Sequence, residues 1–167
     1  TKQTKAMIDM PGMLSVSPCN GNQYFLVKHQ THTQVPHFYL IDKKGKNVRT
    51  LQQNDKLKAT LEQYAFGTVR YMTIPANGES LNAYQILPAD FDSTKRYPVL
   101  MYQYSGPGSQ QVLNHFQLDN YMWHQYLAQK GYIITVVDGR GTGARGEYFK
   151  KQTYLQLGKL ESNDQIA

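Results

Sequence analysis

The chain has 167 residues, of which 40% are hydrophobic and 18% charged, a globular composition that excludes disorder on compositional grounds. Its formal net charge of +6 comes from basic residues scattered between places such as Lys43, Lys44, Lys46 and Lys150-Lys151, with no arginine-rich stripe among aromatics, so nucleic-acid binding has no support. The single cysteine, Cys19, leaves no internal disulfide and no cysteine metal cluster, and no run approaches the roughly 18 apolar residues that span a bilayer.

Taken in chain order, "QYFLVKHQ" (Gln23–Gln30) and "PHFYLIDK" (Pro36–Lys43) are expected as strands, bounded by the turn sequences "CNGN" and "KKGK". Two short strands bury too little to stand alone, so they read as part of a larger all-β repeat. "NDKLKATLEQY" (Asn54–Tyr64) changes period: Asp55 can cap, and Leu57, Leu61 and Tyr64 recur at helical spacing. The domain boundary is expected here, with residues 1–55 on one side and 56–167 on the other. "TVRYMTIP" (Thr68–Pro75) and "SLNAYQILP" (Ser80–Pro88) form a hairpin around Asn77-Gly78, and "ADFDSTKR" (Ala89–Arg96) is a loop. A strand is expected over Tyr97–Tyr104. A helix over Asp119–Gly131 follows, capped by Asp119 or Asn120, with Tyr121, Trp123, Tyr126 and Leu127 inward and Gly131 at its end. "YIITVVD" (Tyr132–Asp138) is an almost unbroken β-branched run, the composition of a strand covered on both faces. Strand, helix, strand in this order predicts a parallel crossover, and hence an α/β fold. Near the end, Ser162 or Asn163 is expected to cap a helix that the chain barely enters. Thr1 is not a natural start, so both ends read as cuts through a longer protein.

The candidate chemistry is sparse. "GTGARG" (Gly141–Gly146) fits G-x-G-x-x-G, but Asp138-Gly139-Arg140 separates it from the strand and no ribose-binding acid follows in a suitable setting. A glycine-rich loop crossing over a neighbouring domain is the preferred reading. No G-x-S-x-G elbow is present. His29, His32 and His37 are read as strand-surface or turn residues, and His115 and His124 as helix-surface or packing residues; no nucleophile–base–acid set assembles from them. Tyr104, between an apolar strand and Ser105-Gly106-Pro107-Gly108-Ser109, has two readings. It is a buried aromatic at a strand end, or a neutral phenol donating a hydrogen bond to a developing oxyanion.

"KRYPVLMYQYSGPGSQ", "GYIITVVDGRGTGARGE" and "LGKLESNDQ" resemble the prolyl oligopeptidase family of serine peptidases, most strongly its dipeptidyl peptidase IV branch and the bacterial members within it. The resemblance runs through nearly the whole chain. "YFLVKHQTHTQVPHFYLIDKKGKNVRTLQQN" is similar to the closing strands of that family's β-propeller, and "ESLNAYQILPADFDSTKRYP" to the first strands of its α/β-hydrolase domain. What the resemblance implies is an exopeptidase releasing X-Pro or X-Ala dipeptides from free peptide N-termini, working by a Ser-His-Asp triad without a cofactor, exported to the periplasm or cell envelope, and a homodimer when intact. Tyr104 matches the family's oxyanion-hole tyrosine, and Ser105 the small residue after it. Asp138 is not carried over as the triad acid; Asp138-Gly139-Arg140-Gly141 matches a loop near the active site with a structural role. The serine elbow, the triad acid and base are expected beyond Ala167, and the glutamates that hold the substrate amino group before Thr1. The chain then spans the propeller–hydrolase junction and is inactive alone; the alternative is a non-catalytic interaction module that retains the hydrolase opening, with a nucleotide-binding protein a distant third.

Overall fold

The computed structural model describes residues 8–116 and 118–167. The chain divides into two compact units, one running to Tyr64 and taking in Asn114–Leu118, the other made of Ala65–Leu113 and Asp119–Ala167.

The first unit is an antiparallel meander of β1 (Met13–Pro18), β2 (Tyr24–Gln30), β3 (His37–Asp42) and β4 (Asn47–Gln52), in that order across the sheet. β2 and β3 are the expected strands. β1 and β4 are additional, and almost all their residues are exposed, so neither carries the in–out alternation that marks a half-buried strand. The β3–β4 turn is made by Asp42, whose carboxylate accepts the backbone N–H of Lys44 at 2.8 Å and of Lys46 at 3.0 Å. Side chains that reach back to nearby backbone in this way favour turns over strands. Val27, Val35 and Ile41 are buried here. α1 (Asp55–Leu61) starts one residue after Asn54, which takes a left-handed conformation and donates from Nδ2 to the Pro36 carbonyl at 2.6 Å. Asp55 is thus the first helical residue rather than the cap, and Tyr64 lies past the helix end. His29, on β2, and His32, in the bend that follows it, are both buried, so His29 is not a strand-surface residue. The His29 ring nitrogen Nε2 lies 2.8 Å from the Pro11 carbonyl, and the His32 N–H donates to Asn114 Oδ1 at 3.0 Å.

The second unit is built on a four-stranded mixed sheet of order β5-β6-β8-β7. β5 (Thr68–Ala76) and β6 (Glu79–Leu87) form the expected hairpin. Asn77 and Gly78 both have positive φ (50° and 81°), as the tight turn that matches strand twist demands. β7 (Val99–Tyr102) is parallel to β8 (Ile133–Asp138), with α2 (Leu118–Gln129) between them in sequence, and β8 pairs antiparallel with β6 on its other side. The β-branched run does what its composition predicts. Val137 packs with Ala76, Leu81, Ala83 and Phe149, while Ile134 and Val136 pack with Tyr84, Ile86 and Ala128. Each such branched side chain, fully buried, contributes about 1.5–3 kcal/mol. The fold class is α/β, as expected. Among the described residues, no helix is long and apolar enough to cross a membrane.

Three local expectations are corrected. β7 ends at Tyr102, so Tyr104 stands on a loop and not on the strand. α2 turns Tyr121, His124, Gln125 and Ala128 inward, while Trp123 (55% exposed) and Tyr126 (50%) face out. The reason is polar. Gln125 Oε1 accepts the Gly67 N–H at 2.6 Å and its Nε2 donates to the Gly67 carbonyl at 3.3 Å, so a buried glutamine satisfies the backbone where β5 begins. Finally, α4 (Lys159–Ile166) starts well before Ser162. Glu161 caps it by accepting the Gly158 N–H at 2.9 Å, which places Ser162 and Asn163 inside the helix.

Candidate active-site loop

At the carboxyl end of β7 the chain leaves the sheet at Gln103 and runs through Tyr104-Ser105-Gly106-Pro107-Gly108. The Ser105 hydroxyl donates to the Gln103 side chain. Gly106 (φ 125°) and Gly108 (φ 86°) bend the backbone through conformations that L side chains rarely take, with open space where a Cβ would sit. Ser109 closes the bend: its N–H donates to the Gly106 carbonyl at 3.1 Å and its hydroxyl to the same oxygen at 2.9 Å. Tyr104 is 66% exposed. Within this chain Tyr104 is not a core aromatic, and its phenol is presented to solvent from a constrained bend.

The loop beyond is fastened from three directions. Gly143 donates its N–H to the Ser109 carbonyl at 2.7 Å. The Asp138 carboxylate accepts the N–H of Gln111 at 2.8 Å and of Val112 at 2.9 Å. The Tyr71 hydroxyl donates to the Leu113 carbonyl at 3.0 Å. Asp138 is buried, and burial pushes its carboxyl above the usual carboxylate range against the opposing pull of the two N–H bonds. Burial also pushes the Tyr71 phenol up to about 12, which keeps it a donor at any physiological pH. Behind the loop, Asn120 Nδ2 donates to the Tyr102 hydroxyl at 3.2 Å, and the Tyr102 ring meets the His124 ring edge-on at 5.0 Å. His124 is thus a packing residue, its pKa lowered by burial.

The "GTGARG" segment is no phosphate cradle. The Gly141 N–H goes to the Phe149 carbonyl, that of Thr142 to Gly139 and that of Gly143 to Ser109, so the donors such a cradle would aim at an anion are already used. A Cβ on Gly141 would stand 2.6 Å from Thr153 Oγ1, and α3 (Gly146–Lys151) after it buries Phe149 alone. Within its own unit the segment braces the Tyr104 loop. Arg140 fixes the other side of the brace. It donates to the fully buried Asp164 side chain through Nε at 3.0 Å and Nη2 at 2.6 Å, and its N–H reaches Asp164 Oδ2 at 2.8 Å. Burial pushes the Asp164 carboxyl up, but the Arg140 bonds, with one from Asn77 Nδ2 at 3.1 Å, outweigh it and hold the group below its ordinary range. The clamps by Asp138 and Tyr71 and the Arg140–Asp164 pair were not legible as such in the sequence; the nearest signals are the D-G-R-G string and the acid of "SNDQ". The described residues contain no group of three or more His, Cys, Asp or Glu placed to hold a metal.

Residues 119–167 match the prolyl oligopeptidase family. A probable dipeptidyl-aminopeptidase B of Trichophyton verrucosum is 37% identical over 162 residues, covering 95% of this chain and 18% of the fungal protein. The solved structure of Porphyromonas gingivalis dipeptidyl peptidase 4 superposes with a TM-score of 0.90 at 40% identity, over 96% of this chain and 23% of that one. The chain belongs to the prolyl oligopeptidase family. A Pyrococcus horikoshii acylaminoacyl peptidase shares the fold at a TM-score of 0.69 and 22% identity, over 86% of this chain and 22% of that one. This family member therefore spans about a fifth of the length of the relatives it matches.

Proposed function

We propose that this chain is the propeller–hydrolase junction of a serine dipeptidyl peptidase, and that Tyr104 supplies a hydrogen-bond donor to the oxyanion of acyl transfer. In this reading residues 1–55 close a β-propeller and 56–167 open the peptidase domain. The serine, base and acid belong to parts of the protein outside this segment, so the segment alone is inactive. The substrates are peptides with Pro or Ala as the second residue, cut to release a dipeptide, and the intact enzyme is an exported homodimer needing no cofactor.

The observation that carries the reading is the exposure of Tyr104 at the carboxyl end of a parallel strand, on a loop that the rest of its unit holds still. Ligands of open α/β sheets bind outside the carboxyl ends of the strands. As the scissile carbonyl becomes tetrahedral, its oxygen gains negative charge. A preplaced phenol O–H shortens its hydrogen bond to that charge without reorganising, so it stabilises the transition state more than the bound substrate. Such a donor serves acyl transfer in both halves, acylation by the substrate and deacylation by water. The test is Tyr104→Phe in the full-length protein, assayed on a chromogenic Gly-Pro substrate: kcat should fall about 100- to 1000-fold, the range for losing one oxyanion donor, with KM little changed. Unaltered turnover would remove Tyr104 from the mechanism.

A further inference from the structure

We propose that Asp138 is a positioning residue for Tyr104: from the end of β8 its carboxylate holds the loop that carries the phenol, by accepting the backbone N–H of both Gln111 and Val112. The inference rests on the assignment of Tyr104 above. Its first ground is register. Met101 pairs with Thr135 and Tyr102 with Val136, so continuing the parallel register brings Asp138 level with Tyr104. β7 stops at Tyr102, and among the described residues its strand partner is β8. Past that point Tyr104 is too exposed for packing to fix it, and its place must come from the backbone on either side of it. On the C-terminal side, beside single bonds from Gly143 and Tyr71, Asp138 makes the attachment that holds two amides at once.

The second ground is the choice of side chain. An ionised carboxylate only accepts, and each oxygen here takes a separate N–H. Asparagine has nearly the same shape but would turn an NH2 group toward one of those donors. Burying a carboxylate is costly, and among the described residues no Lys or Arg forms an ion pair with Asp138 to offset it. A neutral residue would fill the same space more cheaply; what the carboxylate adds is a paired acceptor that ties two consecutive amides of a glycine-bent loop to the most buried strand of the sheet. Charge-assisted bonds of this kind are shorter and stronger than neutral ones, and a displacement of about 1 Å at a reacting centre can cost about 100-fold in rate.

The test is a double-mutant cycle in the full-length protein, with kcat and KM measured for Asp138→Asn, Tyr104→Phe and the pair. Asp138→Asn should lower kcat about 10- to 100-fold and leave KM within about twofold, because the loss falls on transition-state alignment. In the Tyr104→Phe background the same substitution should cost less than about threefold, since the group it positions is gone. An equal loss in both backgrounds, or no loss with Tyr104 present, overturns the proposal. Failure of the Tyr104 assignment itself shows separately, as unchanged turnover in Tyr104→Phe alone. Should Asp138→Asn not fold, Val112→Pro decides the matter: it removes one donor and leaves the carboxylate in place, and it must lower kcat only where Tyr104 is intact.

Discussion

The loops that follow β7 and β8 are both short of side chains and rich in glycine, yet they do opposite work. In 103–109 the glycines stand in open space, their positive φ values bend the backbone and a large phenol is left exposed. In 139–146 Gly141 is wedged against Thr153, the amides are used internally and the long side chain of Arg140 is drawn down onto Asp164. One loop presents and the other braces. Glycine content alone does not distinguish them; what does is whether a Cβ would meet anything, and where the N–H groups go.

The contrast can be strained at several points. Arg140→Ala should have the largest effect on stability, about 3–5 kcal/mol, because it leaves the Asp164 carboxylate buried without its charged partner, with only neutral donors from Asn77 and the backbone of residue 140; equilibrium denaturation of the full-length protein measures it, and a loss under about 1 kcal/mol would mean the brace is ornamental. Gly141→Ala and Gly108→Ala form a matched pair. Both residues have positive φ, 94° and 86°, so each substitution carries a similar backbone cost of about 1–2 kcal/mol. Only Gly141 adds a collision with a fully buried, β-branched Thr153, and it should therefore exceed Gly108→Ala by about 1–3 kcal/mol. Equal losses would show that the two loops are packed alike.

The smallest effect concerns pH, and its sign differs between the loops. Asp164 has its carboxyl lowered in the folded state, so its contribution is fully present above the ordinary carboxylate value and is lost as pH falls through the folded one. Without the Arg140 side chain, only Asn77 and the backbone N–H of residue 140 oppose the burial of Asp164, and the deficit of Arg140→Ala against the parent should shrink as pH falls through the carboxylate range. Thermal denaturation of both proteins across that range would show it, and a constant gap would contradict the assignment. Asp138 behaves the other way. Its carboxyl is raised, so its ionised form costs stability at neutral pH, and that cost is relieved as pH falls through its folded value. The brace gains from its charge, whereas the clamp carries its charge at a loss.

The sequence made some of this plain. The run Ile133–Asp138 announces a doubly covered strand because β-branched residues fill both faces, and Asn77-Gly78 announces a turn because few other pairs tolerate its φ values. Tyr104 stood out because the residues after it could not continue a strand. β1 and β4 were silent because their side chains are nearly all exposed, so no pattern of burial is written in them. On α2 the sequence points correctly to Tyr121 and Leu127 but not away from Trp123 and Tyr126, because the buried side chains include His124 and Gln125, whose partners are a tyrosine ring and a backbone group remote in sequence. The clamp on the Tyr104 loop was equally hidden. Asp138 reaches amides 27 and 26 residues away, a relation that only the pairing of β7 with β8 creates.

The bond between Gln125 and Gly67 bears on the order in which the second unit assembles. The β5–β6 hairpin needs only its own turn and can form early, as local contacts close with little loss of chain entropy. The stretch just before β5 is different: its amide and carbonyl are answered by a side chain 58 residues downstream, and a Cβ on Gly67 would strike the Leu87 carbonyl at 2.2 Å. Nothing local can satisfy those groups. Residue 67 therefore locks only after α2 has docked on the hairpin, which makes the first residues of this unit among the last to take their native contacts.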